Sequence, residues 1–184
     1  TGGEIIDAST GEITGGISGT TYSITYTTSG ICSQSSIQTL VVNPLDDATF
    51  TLTDYCEGSS NSATVTGTTG GVFTFTIPPT GGEIIDASTG EITGGISGTT
   101  YSVTYTTSGI CPQSSVQTVV VNPLDDATFT LTDYCEGSAN SASITGTVGG
   151  VFTFTTSPTG GESIDASTGE ITGGVAGNTY SVTY

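Results

Sequence analysis

Few side chains in this sequence can do chemistry: 17 Asp and Glu, 4 Cys and 8 Tyr, with no Lys, Arg or His. Carboxylates lacking any cationic neighbour suit three tasks: paired acid–base work on a glycosidic bond, ligation of a hard cation, or turn formation. Asp86 and Glu91 are the pair to weigh for the first, because they flank one turn, Ala87-Ser88-Thr89-Gly90. A turn aspartate bonded to local backbone beside a solvated glutamate accounts for the same residues, and that reading is preferred. Without His, a nucleophilic triad lacks its usual base, and the strand-spaced tyrosines read as sheet residues. No catalytic residue is assigned, and a non-enzymatic role is expected.

Cation binding rests on Asp46 and Asp47, with Asp125 and Asp126 at the equivalent place in the next copy. Hard oxygen ligands grouped at a domain boundary suit Ca²⁺, which would neutralise charge and stiffen the junction. Linker solvation and charge repulsion explain the same residues without an ion. The ion-free reading is preferred, so no cofactor is expected. The cysteines are Cys32, Cys56, Cys111 and Cys135. Neither His nor a Cys-x-x-Cys pair is present, which argues against zinc. In a secreted β-protein, disulfides are the default.

The elements that must position these groups follow from repetition. TGGEIIDASTGEITGG opens at Thr1 and again at Thr80, and the edited copy TGGESIDASTGEITGG opens at Thr159, a spacing of 79 residues both times. A fixed period means one folding unit used several times. This period is too long for a solenoid turn and suits a small β-domain with its own core. A Thr/Ser/Gly-rich acidic composition also suits disorder. Regular alternation argues against that: Tyr22-Ser23-Ile24-Thr25-Tyr26 puts two tyrosines and an isoleucine on one strand face. No window shows a helical apolar period.

On the middle copy, strands are predicted at Ala48–Tyr55, Ala63–Gly67, Val72–Ile77, Glu83–Asp86, Glu91–Thr93, Thr99–Thr107 and Ser115–Val121. Short strands at this density, separated by Gly, Pro, Ser and Asp, predict an all-β chain of tandem immunoglobulin-like, two-sheet sandwiches. Asn43-Pro44-Leu45-Asp46-Asp47, which recurs as Asn122–Asp126, reads as a proline spacer between domains. The expected division is then 1–45, the later part of one repeat; 46–123, a complete repeat; and 124–184, a repeat lacking its last strand. On this reading the sequence is a segment of a longer secreted precursor with further repeats on both sides, forming an extended rod. A competing reading makes Asn43–Asp47 a hairpin turn.

These framings pair the cysteines differently. With a linker, Cys56–Cys111 falls inside one domain, while Cys32 and Cys135 pair outside the sequence. With a hairpin, Cys32–Cys56 and Cys111–Cys135 would clamp it. An extended linker holds Cys32 and Cys56 tens of ångströms apart at ~3.3 Å per residue, so Cys56–Cys111 is favoured. It carries one difficulty. In simple immunoglobulin topology the two positions sit at opposite ends, so the first strand would have to be bent, short or shifted.

Charge narrows the partners. At a formal net charge of −17 with no cationic side chain, the chain cannot neutralise phosphates, so nucleic acid is not an expected partner. An anionic bilayer would repel it, and no apolar run is long enough to span one.

Several motifs together carry a resemblance. They are Tyr55-Cys56-Glu57-Gly58; Thr66-Gly67-Thr68-Thr69-Gly70-Gly71-Val72-Phe73; Ile85-Asp86-Ala87-Ser88-Thr89-Gly90-Glu91-Ile92; and Tyr101 through Pro112. Taken together, the pattern resembles the tandem immunoglobulin-like or PKD-like repeats of giant bacterial cell-surface adhesins, typical of type IX secretion and of gliding-motility filaments. The resemblance implies a long extracellular fibre on the bacterial surface, held by anchoring machinery and bound to a surface or polysaccharide target. The Ile-Asp-x-x-Thr-Gly-x-Ile turn also looks cadherin-like, yet the acidic calcium signatures that accompany it in cadherins are absent. The expected function is a non-catalytic stalk or multivalent adhesion fibre; a self-assembling extracellular filament or surface-layer subunit is the alternative. Threonine-rich strand faces raise ice binding, but β-propensity on a wet face explains them. A carbohydrate-binding module would show exposed Trp, and none exists.

Overall fold

The computed structural model describes residues 3–184, and every regular element among them is a β-strand. The chain is all-β, in two compact units that divide between Pro123 and Leu124.

The first unit opens with β1 (Ile5–Ile6) and β2 (Ile13–Thr14), a short antiparallel pair. Next come β3 (Thr21–Thr27) and β4 (Ser35–Val41), which form a seven-residue antiparallel ladder. Residues 42–49 have no regular structure, and Asn43, Pro44, Leu45 and Asp47 are exposed. β4 pairs only with β3, so Asn43–Asp47 is not the turn of a hairpin.

Eight strands follow: β5 (Phe50–Thr51), β6 (Tyr55–Cys56), β7 (Thr64–Val65), β8 (Val72–Phe75), β9 (Ile84–Ile85), β10 (Ile92–Thr93), β11 (Thr100–Thr106) and β12 (Ser114–Asn122). The main sheet has the order β6-β12-β11-β8, while β5 pairs with β7 and β9 with β10. β6 lies parallel to β12, with Tyr55 opposite Val121 and Cys56 opposite Asn122.

Alternation decides which face is buried. In β11, Tyr101, Val103 and Tyr105 point inward while the Thr and Ser between them stay in partial contact with water. Val119 and Val121 of β12 and Phe73 of β8 share that inner face. Phe50 of β5 closes over it, 5.3 Å centroid to centroid from Phe73 in an edge-on contact, and Tyr105 stacks 4.6 Å from Phe73. Such aromatic pairs contribute beyond their buried area, about 0.5–1.5 kcal/mol each. Two glycines allow the close approach. Gly90 sits at φ 69° in the β9–β10 turn, and a Cβ there would meet Ala63 at 2.8 Å and the Phe73 ring at 3.2 Å. Gly71 lies against the Tyr105 ring, where a Cβ would be 2.7 Å from Cζ.

The predicted strand Ala48–Tyr55 is two strands. Its first half, β5, joins β7; the chain then breaks over Leu52-Thr53-Asp54, and β6 joins β12 in the other sheet. Asp54 marks the crossing, its Oδ1 accepting the Val120 amide at 2.8 Å.

The β3–β4 hairpin has nearly the sequence of β11–β12 but a different environment. Tyr105 is 1 % exposed and Tyr26, its counterpart, 68 %; Val119 is fully buried and Leu40 is 37 % exposed. The second hairpin is covered by Phe50 and Phe73; among the described residues none covers the first in this way.

The second unit repeats the architecture with β13 (Phe129–Thr130), β14 (Ser143–Ile144), β15 (Thr153–Phe154), β16 (Ser163–Ile164), β17 (Ile171–Thr172) and β18 (Val182–Thr183). Phe129, Phe152 and Tyr184 form the same aromatic cluster, with Phe129–Phe152 at 5.3 Å and Phe152–Tyr184 at 4.6 Å. No described helix is long and apolar enough to cross a membrane.

Candidate functional site

Asp86 is placed by the β9–β10 turn. Its Oδ1 accepts from the Ser88 amide at 2.8 Å, the Ser88 hydroxyl at 2.6 Å and the Thr89 amide at 2.8 Å. The Ser88 hydroxyl, followed by these amides, holds the Asp86 carboxyl down at about 2, from 3.8. Donors aimed at the charged form cause such a shift. A general acid needs the reverse. Glu91 contributes its carbonyl to the turn, accepting the Asp86 amide at 2.8 Å. Asp7 and Asp165 make the same bonds to Ser9 and Thr10, and to Ser167 and Thr168.

The junction carboxylates are also spent on the chain itself. Asp47 Oδ1 accepts the Thr49 amide at 2.9 Å and, more closely, the Thr49 hydroxyl. These bonds, the hydroxyl first, lower its pKa. Asp126 does the same with Thr128. Asp46 reaches across to the β11–β12 loop, where its Oδ2 accepts the Gly109 amide at 3.0 Å and its own amide donates to the Cys111 carbonyl at 3.0 Å. The structure thus places Asp46 and Asp47 in separate hydrogen-bonding arrangements. Among the described residues, no three Asp, Glu or Cys side chains gather as a metal would require.

The cysteines are all free thiols. Cys56 pairs in register with Asn122 at the end of β12, whereas Cys111 precedes Ser114, the start of that strand. The nine residues of β12 therefore separate them, about 26 Å at ~3.3 Å per step. The expected Cys56–Cys111 bridge is not formed, because a disulfide spans Cα atoms only ~6 Å apart. The bend at Leu52–Asp54 moves the first strand between sheets without reversing it, so its end stays away from the β11–β12 loop. The alternative Cys32–Cys56 bridge is not formed either, and the β4–β5 hairpin it would clamp is absent, because β4 pairs with β3.

A half-buried set of Tyr–Glu bonds was not anticipated. The Tyr101 hydroxyl donates to Glu83 Oε1 at 2.7 Å and accepts the Ile96 amide at 3.0 Å. Tyr22 with Glu4, and Tyr180 with Glu162, repeat it at 2.8 Å. The available signal was a Glu-to-Tyr spacing of 18 kept in all three copies. The Tyr101 hydroxyl is the first cause of a lowered Glu83 pKa. Nearby, Tyr55 is only 9 % exposed and its hydroxyl has no hydrogen-bond partner; burial pushes its pKa up. It borders an open hollow walled by Glu57, Ser59, Glu91 and Gly95, and Tyr134 borders the equivalent hollow in the second unit.

In chemical terms, Asp7, Asp47, Asp86, Asp126 and Asp165 are spent on turns, and Tyr22, Tyr101, Tyr105, Tyr180 and Tyr184 on holding loops to strands. Comparison with known proteins finds no family model that matches the chain and no curated protein similar to it.

Proposed function

We propose that this chain is a non-catalytic segment of a long bacterial cell-surface filament, built of immunoglobulin-like sandwich repeats and serving as a stalk or multivalent adhesion fibre. One observation carries this reading: the same side chains make the same bonds at Asp7, Asp86 and Asp165, and again at Tyr22, Tyr101 and Tyr180. Copies specialised for binding or catalysis would diverge at their sites; these keep the same scaffolding bonds each time. Weak contacts repeated along such a fibre gain avidity. The division into repeats 46–123 and 124 onward, the extracellular location, the anchoring machinery and a surface or polysaccharide target belong to this proposal. So does a role in gliding motility, which follows from the resemblance alone. Nucleic acid and direct membrane insertion are not part of it.

Imaging the native particle tests the proposal. Regular beads along a thin thread are expected, and discrete compact particles would end the stalk reading. The uncovered face of β3–β4, with Tyr26 68 % and Leu40 37 % exposed, favours a second reading: subunits that complete one another's sandwiches in an extracellular filament or surface layer. Mass under dilute, non-reducing conditions separates the two. A single long chain supports the stalk, and stoichiometric short subunits support assembly.

A further inference from the structure

We propose that the cysteines are modification sites that join successive copies: Cys111 forms a disulfide with the residue equivalent to Cys56 in the copy before it. This inference rests on the tandem-repeat reading but not on the adhesive one.

The geometry comes from one junction residue seen in two settings. Asn43 and Asn122 are the same position of successive copies. At the end of β12, the Asn122 carbonyl accepts the Glu57 amide at 2.9 Å, and Cys56, directly before Glu57, pairs in register with Asn122. At the start of the copy, the Cys111 thiol donates to the Asn43 carbonyl at 3.9 Å. One asparagine carbonyl therefore accepts the amide next to a cysteine of the copy it closes and the thiol of a cysteine of the copy it opens. Where both groups meet the same carbonyl, at 3.9 and 2.9 Å, the Cys111 sulfur lies no farther than about 7 Å from the amide that follows the counterpart cysteine. The bridge requires both cysteine side chains to rotate toward that carbonyl, with their Cα atoms about 6 Å apart.

The neighbouring bonds fix both sides. Asp46 ties the junction to the Cys111 loop through Gly109 and the Cys111 carbonyl, and β6 is laddered to β12. Cys56 is exposed and Cys111 partly so, which leaves both accessible to an oxidant. By the same rule no two of Cys32, Cys56, Cys111 and Cys135 are partners of each other, and all four are free thiols in the structure. Two thiols become the bridge by exchange with a small-molecule disulfide such as oxidised glutathione. The protein sulfurs form one S–S bond, and the oxidant takes up the two electrons and two protons and leaves as two thiols.

The test uses the full chain preceded by a further copy of residues 46–79, which completes the first repeat and adds one cysteine at the place of Cys56. After equilibration in a glutathione redox buffer, free thiols are alkylated. The protein is then cut with a glutamate-specific protease, because it has no Lys or Arg for trypsin. The expected result is one crosslinked peptide joining the added cysteine to Cys111, with Cys32, Cys56 and Cys135 alkylated. Cys111→Ser should abolish the crosslink and leave the added cysteine open to alkylation. A bridge from Cys56 to Cys111 or from Cys32 to Cys56 overturns the proposal, as does full alkylation of an extended chain that keeps its β-sheet circular dichroism. The unextended chain provides a second measurement: under the same buffer its four thiols should form no intrachain bridge, and any such bridge also overturns the proposal. A failed crosslink leaves the imaging test untouched, so the two ideas fail separately.

Discussion

At the scale of single residues, a carboxylate here is a piece of backbone architecture. Asp7, Asp86 and Asp165 each gather a serine hydroxyl and two amides, which holds each carboxyl at about 2. Their folded pKa values lie below the ordinary 3.8, so the stability they contribute is fully present above that value and is lost as pH falls toward 2. Melting temperature should therefore drop between pH 4 and pH 2. Changing all three to Asn keeps an acceptor oxygen in each turn but removes the titration, so the variant's acid decline should be shallower. Thermal melts by circular dichroism across that range check this; identical declines would remove these aspartates as its cause.

At the scale of the strand, the same sequence behaves according to what covers it. Tyr105 donates to the Thr68 carbonyl at 2.8 Å and accepts the Gly71 amide at 2.9 Å, inside the aromatic cluster. Tyr105→Phe strands both partners and should cost about 1–3 kcal/mol. The identical change at Tyr26, 68 % exposed, should stay within about 0.5 kcal/mol. Denaturant titration of the two variants measures both, and equal effects would mean that the β3–β4 face is covered in solution. Period-2 alternation made strands such as β11 and β12 legible, since Tyr101, Val103 and Tyr105 could only face inward together. The β9–β10 turn was legible for the same kind of reason: Asp86 and Gly90 supply the local chemistry a turn requires. The break at Leu52–Asp54 left only a faint mark, since the alternation of Ala48, Phe50 and Leu52 falls out of phase at Asp54-Tyr55, and the pairing partners that separate β5 from β6 are not in the sequence. The opposite ends of the cysteines were legible as the difficulty in a Cys56–Cys111 pairing, though not that the strand break leaves it in place. Strand direction, not spacing, puts Cys56 beside Asn122 and Cys111 at the far end of β12. The Tyr–Glu pairs required knowledge of which loop folds back on which strand.

At the scale of the whole molecule, 17 carboxylates face no side-chain cation. Their mutual repulsion is screened over about 10 Å at 0.1 M salt and much farther in dilute buffer. Raising NaCl from about 10 mM to 150 mM should raise the melting temperature. A chelator should leave it unchanged, because Asp46, Asp47 and Asp126 already bond to the chain. A melting temperature that falls on chelation would restore calcium to the junction. Finally, β6 and β12 run side by side in the same direction, one near the entry of the copy and the other at its exit. Tension applied through the two ends slides these strands past each other lengthwise. The Glu57–Asn122 and Asp54–Val120 bonds then share the load at once instead of unzipping singly. A tethered copy should yield only at a high force threshold and behave as a brittle clasp rather than an elastic spring.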